Sequence, residues 1–210
     1  WFAVDVNRRE SGDDGELRLP ELRVFADWSE LVGGPGKDDL ERVLPEFFER
    51  SLKLVSREDL MSCRVIRSLK FAAAGRDCWV VGVRLEYQER LPDTMILPLV
   101  LVSDEEYGRL LRPAREVAVA TIAGSQSGIL CDATALPDYL QALLAMVSRQ
   151  GRVKVEHGEL VGVAYEEVPD GSGLTPAVAP AGDDGVEADF GHRVLLKTYR
   201  RVENGMNPDV

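Results

Sequence analysis

The chain has 210 residues, of which 45% are hydrophobic and 29% charged, and a formal net charge of −11. That balance suits a globular protein with a real core. The acidity disfavours nucleic acid or an anionic membrane as partner, since either calls for a basic face. No apolar run approaches the roughly 18 residues of a membrane span, and the longest, residues 95–102, contains Pro98. Trp1 opens without an initiator Met and without the basic-then-apolar form of a secretory leader, so the sequence reads as a piece of a longer polypeptide. Cys63, Cys78 and Cys131 are odd in number and far apart. They are expected to be buried thiols of a reducing, cytoplasmic compartment, not a disulfide frame or a metal site. With only His157 and His192 present, a histidine-rich metal centre is excluded.

Residues 1–6, from Trp1 to Val6, alternate in polarity and read as the last strand of an upstream domain; residues 11–15 are turn-like. Gly33-Gly34-Pro35-Gly36 lacks the spacing and the following Lys-Ser/Thr of a phosphate-binding loop and reads as a plain connection. From Asp38, the spacing of Leu40, Val43, Leu44, Phe47 and Phe48 predicts an amphipathic helix. Pro45 inside it implies either a kink or a second helix starting nearby.

Strands follow. Residues 64–71 are one candidate. Residues 78–87 are another, with Trp79, Val81, Val83, Leu85 and Tyr87 on one face and Arg84 and Glu86 opposite. Residues 94–102 are a third, in which Pro98 implies a bulge or an edge position. Polar turns between them predict an antiparallel meander. Ser103-Asp104-Glu105-Glu106 has capping-box form and predicts a short helix ending before Pro113. Residues 117–122 and 127–132 read as strands. Pro137 opens a helix whose stripe is Leu136, Tyr139, Leu140, Leu143, Leu144 and Val147, with Gly151 as its stop. Residues 159–165 read as a strand, and residues 169–185, rich in Pro, Gly and Ala, as a linker or mobile loop. Residues 193–200 form the last predicted strand, with Leu195, Lys197 and Tyr199 on one face and Val194, Leu196 and Thr198 on the other. The fold class expected is α+β, a mainly antiparallel curved sheet with a few helices. The pairs Glu105-Glu106 and Glu166-Glu167 read as solvated faces, and Ser125 and Ser127 lack a His or acid in a catalytic pattern.

Four blocks in order carry a family resemblance: Thr94 to Leu101 (TMILPLVL), Gly128 to Ala133 (GILCDA) ahead of the Pro137 helix, Gly158 to Gly162 (GELVG), and Phe190 to Asp209 (FGHRVLLKTYRRVENGMNPD). Together they resemble bacterial maltokinases, whose last block reads like FGDRLILKLFRRLEPGVNPD. The resemblance spans about the last two-thirds of the chain. The beginning resembles the fused form: Trp1-Phe2 is similar to the closing strand of an amylase-type domain. Leu19-Pro20-Glu21-Leu22, with Leu44-Pro45, is similar to the segment connecting a trehalose synthase to its maltokinase.

The resemblance implies a kinase-like protein, related to aminoglycoside phosphotransferases, that transfers the γ-phosphoryl group of ATP to maltose. ATP and Mg would bind the complete protein, with nothing tightly bound to this segment. Residues 1–20 would be the tail of an upstream domain or a linker, 21–166 an N-terminal cap, 167–189 a linker or loop, and 190–210 the start of an incomplete kinase-like small lobe. Lys197 would be the third-strand Lys that neutralises the α- and β-phosphates; the plain alternative is a Lys that snorkels to water. Arg200 and Arg201 would pair with acids of the large lobe or solvate an edge. Asn207-Pro208-Asp209 would lead into the helix that supplies the glutamate partner of Lys197. Catalytic residues are expected none, because the base and metal-holding groups lie on the large lobe. Maltose and ATP would be met through that lobe, the trehalose synthase domain would be a partner in the same polypeptide, and a homo-oligomer is compatible with the sequence.

Two segments depart from the family. Its hydroxyl-rich nucleotide turn is replaced by Gly182-Asp183-Asp184-Gly185-Val186-Glu187, followed by Asp189, and carboxylates there repel a triphosphate unless metal ions intervene. The aromatic motif near residues 50–57 appears as RSLKLVSR. These departures support the alternative of a degenerate cap that serves as an interaction or assembly module for the synthase domain.

Overall fold

The computed structural model describes residues 18–52, 59–111, 116–155, 158–180 and 185–202. Readings that fall on residues 1–17, 53–58, 112–115, 156–157, 181–184 and 203–210 lie outside the described residues. These include the Trp1 strand, most of the 50–57 segment, the Asp183-Asp184 turn and Asn207-Pro208-Asp209. The chain is mixed α+β, with a curled, mostly antiparallel sheet and, among the described residues, four helices.

Strand β1 (Glu21–Val24) leads to a single-turn helix α1 (Glu30–Gly33) and then to α2 (Lys37–Leu52). Gly34 turns the chain between the helices at a close approach: a Cβ there would lie 2.9 Å from Glu30 Cα. Helix α2 runs through Pro45 without a second N-terminus. Leu40, Leu44, Phe47 and Phe48, from both sides of the proline, are fully buried in one core, and this shared burial holds the two halves in line. The meander then follows as β2 (Leu60–Ala73), β3 (Arg76–Tyr87) and β4 (Asp93–Val102). Ser103 caps α3 (Asp104–Glu106) by accepting the Glu106 N–H at 3.2 Å, and the chain passes into a π turn, Tyr107–Leu111. The Glu106 carboxylate does not return to the cap. It grips Arg76 through two contacts of 2.9 Å, so the reciprocal half of the expected capping box is spent on an ion pair, and Glu106 is not the solvated side chain expected.

Strands β5 (Ala118–Gly124) and β6 (Gly128–Asp132), a 3-10 turn (Ala133–Ala135) and helix α4 (Pro137–Ser148) come next. The sheet order is β1-β5-β6-β4-β3-β2, with β1 and β5 parallel. One face packs under α1 and α2 through Val81, Val83, Leu85, Leu97 and Leu99. The other packs under α4 through Phe71, Val100, Cys131, Tyr139 and Leu140. Pro98 therefore lies in a central strand in unbroken register with β3, neither at the bulge nor at the edge expected. The reason is a seam on one side of β4. Among the described residues, β6 pairs with β4 only from Leu99 to Val102, and β12 (Arg201–Val202) pairs only with Met95 and Thr94. Residues two apart in a strand direct their N–H groups to the same edge. The Ile96 N–H goes to Arg200 O, so the donor that Pro98 lacks would point into the gap between these partners.

After α4 the chain forms a hairpin, β7 (Arg152–Val155) with β8 (Gly158–Val161), of which β7 was not anticipated. The stretch read as a linker carries strand β9 (Ala177–Pro180). It is also tied to α4: Ser148 Oγ donates to Val168 O at 2.6 Å, and Gln141 Nε2 to Asp170 O at 2.9 Å. Strands β10 (Gly185–Phe190) and β11 (Val194–Tyr199) complete a three-stranded antiparallel sheet, ordered β9-β10-β11. The last predicted strand thus finds its neighbour in β10, and only β12 joins the large sheet.

Candidate functional site

The β10–β11 hairpin is set by its turn. Gly191 and His192 both have positive φ, 63° and 57°, the mark of a primed turn whose twist suits a hairpin. Asp189 pays for the strained non-glycine residue: its Oδ1 accepts the His192 N–H at 2.7 Å, and its Oδ2 lies 2.6 Å from His192 Nδ1. From this turn the strands run out in strict alternation. Ala188 and Phe190 are fully buried in the core beneath α4, with Val194 and Leu196 packed against them. The opposite face is open, and there β11 presents Leu195, Lys197 and Tyr199, as the alternation predicts.

Lys197 occupies the middle of that open face. Its register partner on β10 is Glu187, which in turn pairs with Ala179 of β9. Its Nζ lies 5.2 Å from the centroid of the Tyr199 ring, within cation–π range. Leu195, 62% exposed, and Tyr199, 39% exposed, share its face, while Leu196 lies on the buried side. The ammonium is therefore presented to solvent on an aromatic support and faces a carboxylate across the strands. Asp189, on the same face of β10, is taken up by the hairpin turn. Such a surface offers one cation to an anionic ligand, with the Glu187 carboxylate opposite it. No group of three or more metal-ligating side chains occurs among the described residues.

Arg200, one residue beyond β11, departs most from expectation. It neither solvates an edge nor waits for another lobe. Its side chain is only 9% exposed and pairs with the buried Asp132, whose side chain is 2% exposed. The same nitrogen, Nη2, donates to Thr134 Oγ1 at 3.0 Å. Thr134 closes the ring, because its N–H and Oγ1 reach Asp132 Oδ1 at 2.9 and 2.8 Å. Arg201 approaches Asp93 at 3.9 Å, and Tyr87 donates to the same carboxylate at 3.1 Å. Burial, the Asp93 charge and this hydrogen bond push the Tyr87 hydroxyl up to about 12. The signal for the Arg200 pair was present in the sequence as an aspartate closing an all-apolar strand, Gly-Ile-Leu-Cys-Asp, but nothing local named its partner 68 residues away.

Other candidates resolve into structure. Ser125 Oγ donates to Ala26 O at 2.8 Å and fixes a loop. The three cysteines are buried free thiols, as expected; burial pushes Cys63 up to about 12 and Cys78 to about 11, and raises Cys131 as well. A shallow, open hollow of about 440 Å³ lies beyond the end of α4, lined in part by Ser148, Tyr165, Glu166 and Val168. Glu166 and Glu167 are exposed there, as their spacing suggests. No described helix is long and apolar enough to cross a membrane. No protein-family profile matches the chain, and no curated protein sequence matches it significantly.

Proposed function

We propose that this chain is the non-catalytic N-terminal cap and the opening strands of the nucleotide lobe of a maltokinase joined to a trehalose synthase. The single observation that carries the reading is the three-stranded antiparallel meander with Lys197 on the open face of its third strand. In kinase-like folds a Lys so placed neutralises the nucleotide phosphates, and the turn between the first two strands covers them. The complete protein would bind ATP with Mg and phosphorylate maltose through a large lobe that supplies the base and the metal-holding residues. A cytoplasmic location accords with three cysteines kept as thiols.

The test is ATP-dependent conversion of maltose to maltose 1-phosphate by the full-length protein. Replacing Lys197 with Ala removes one charge-stabilising donor and is expected to lower kcat/KM by about 100-fold or more. An inactive full-length protein, or a Lys197→Ala variant with unchanged activity, overturns the reading.

One observation favours a second reading, an assembly module for the synthase domain. Glu187 sits directly across from Lys197, where it competes with a phosphate. Deleting the region and measuring oligomeric state and trehalose–maltose interconversion separates the two, since a module changes at least one of them.

A further inference from the structure

We infer that Arg200 and Asp132 form a buried pin that orients the Lys197-bearing strand on the cap, so that the three-stranded sheet takes its pose from the large sheet. The role assigned to Lys197 rests on the maltokinase reading; the pin itself does not.

The argument begins with position. Arg200 is the one residue between β11 and β12, where the chain leaves the small sheet and enters the large one. It is anchored at both ends. Its carbonyl accepts the Ile96 N–H at 2.6 Å beside the seam at Pro98, and its guanidinium enters the ring with Asp132 and Thr134. Asp132 is the last residue of β6, and its Oδ1 caps the following 3-10 turn. The pin therefore joins the end of one strand in the large sheet to the end of the strand that carries Lys197, three residues upstream.

Two further facts separate orientation from adhesion. The inner face of the small sheet already has an apolar attachment in Ala188, Phe190, Val194 and Leu196. Apolar contact is non-directional, whereas a hydrogen-bonded ion pair accepts few geometries. The pair is also incompletely satisfied: Arg200 Nη1 is buried and has no hydrogen-bond partner among the described residues. A buried pair left in that condition returns little net stability, so specificity of arrangement is the better account of its presence.

The test uses the full-length protein and the double variant Arg200→Met/Asp132→Asn. It removes both charges while leaving an oxygen to cap the 3-10 turn, so no lone charge is buried. Amide hydrogen exchange is expected to accelerate about tenfold or more in the β10–β11 ladder, with β3–β4 amides unchanged. Arg200→Lys, which keeps the charge and loses the planar fork, should move the same amides in the same direction if the double variant does not fold. Unchanged β10–β11 exchange, or an equal rise in β3–β4, overturns the pin. The second readout is the split between KM and kcat. Misorientation of Lys197 should raise KM for ATP about tenfold with KM for maltose unchanged. An unchanged KM for ATP alongside faster β10–β11 exchange overturns the orienting role. Absence of ATP-dependent activity in the parent removes the maltokinase reading and leaves the exchange result to decide the pin.

Discussion

The two sheets of this molecule solve the burial problem differently. Around β4 and β6 the large sheet is covered on both faces, by α1 and α2 on one side and by α4 with the small sheet's inner face on the other. Its central strands are accordingly almost wholly apolar: all five residues of β6 are buried, and β4 runs from Met95 to Val102 with Thr94 as its last polar neighbour. The small sheet is covered on one face only. Its last strand alternates strictly between half-buried and exposed positions. A doubly covered sheet supplies a scaffold and leaves no room for a ligand, whereas a singly covered one can present a row of side chains. The candidate chemistry sits on the second kind, held in place by the first.

If the large sheet is the scaffold, its disruption should carry the small sheet with it, and not the reverse. Phe47 of α2 is 1% exposed at the centre of the first core. Phe47→Ala should cost about 3–5 kcal/mol by the usual cost of emptying an aromatic core site. Chemical denaturation should then show the whole chain unfolding at lower denaturant, with both sheets lost together. Phe190→Ala removes a fully buried ring from β10, where the small sheet meets α4. Its cost should be about 3 kcal/mol, the lower end of the same range. The loss should be local, visible as faster amide exchange in β9–β11 with β2–β4 still protected. Equal exposure of both sheets in this variant would break the division.

The same contrast explains what could be read in advance. Strand β11, half exposed, has a period of two, and the faces of Lys197 and Leu196 follow from it. Strand β3 and helices α2 and α4 were equally plain, because each has one polar side. Strand β9 was not, because Ala-Val-Ala-Pro between glycine-rich segments has no periodicity and gains its structure only by pairing with β10. Pro98 misled because the usual exclusion of proline from central strands assumes an unbroken partner, and here two partners end on either side of it. The Arg200 pair was hidden for a related reason. Its partners lie 68 residues apart in the sequence, at the ends of strands in different sheets, and two adjacent arginines look like any solvated edge.

Smaller effects test whether the scaffold's polar contacts matter as its core does. Arg76 and Glu106 bind the β2–β3 turn to α3 and remain 31% and 20% exposed. Their partial exposure limits the pair to about 1 kcal/mol despite its two-point geometry. Glu106→Gln should lower stability by that amount in equilibrium denaturation, and a loss several times larger would place the turn within the scaffold's core.

The open face should show the smallest response. Lys197 and Leu195 project from a face that is exposed among the described residues, and substitutions at such exposed positions usually change stability by about 0.5 kcal/mol or less. Lys197 does have the Tyr199 ring beneath it, but a cation–π contact at so exposed a site is worth no more than about 0.5–1 kcal/mol. Lys197→Ala and Leu195→Ser should therefore leave the denaturation midpoint of the chain almost where it was. That outcome is what allows an activity loss in Lys197→Ala to be read as lost ligand contact. A large destabilisation would instead make the open face part of the scaffold, and the contrast between the two sheets would fail where it bears on function.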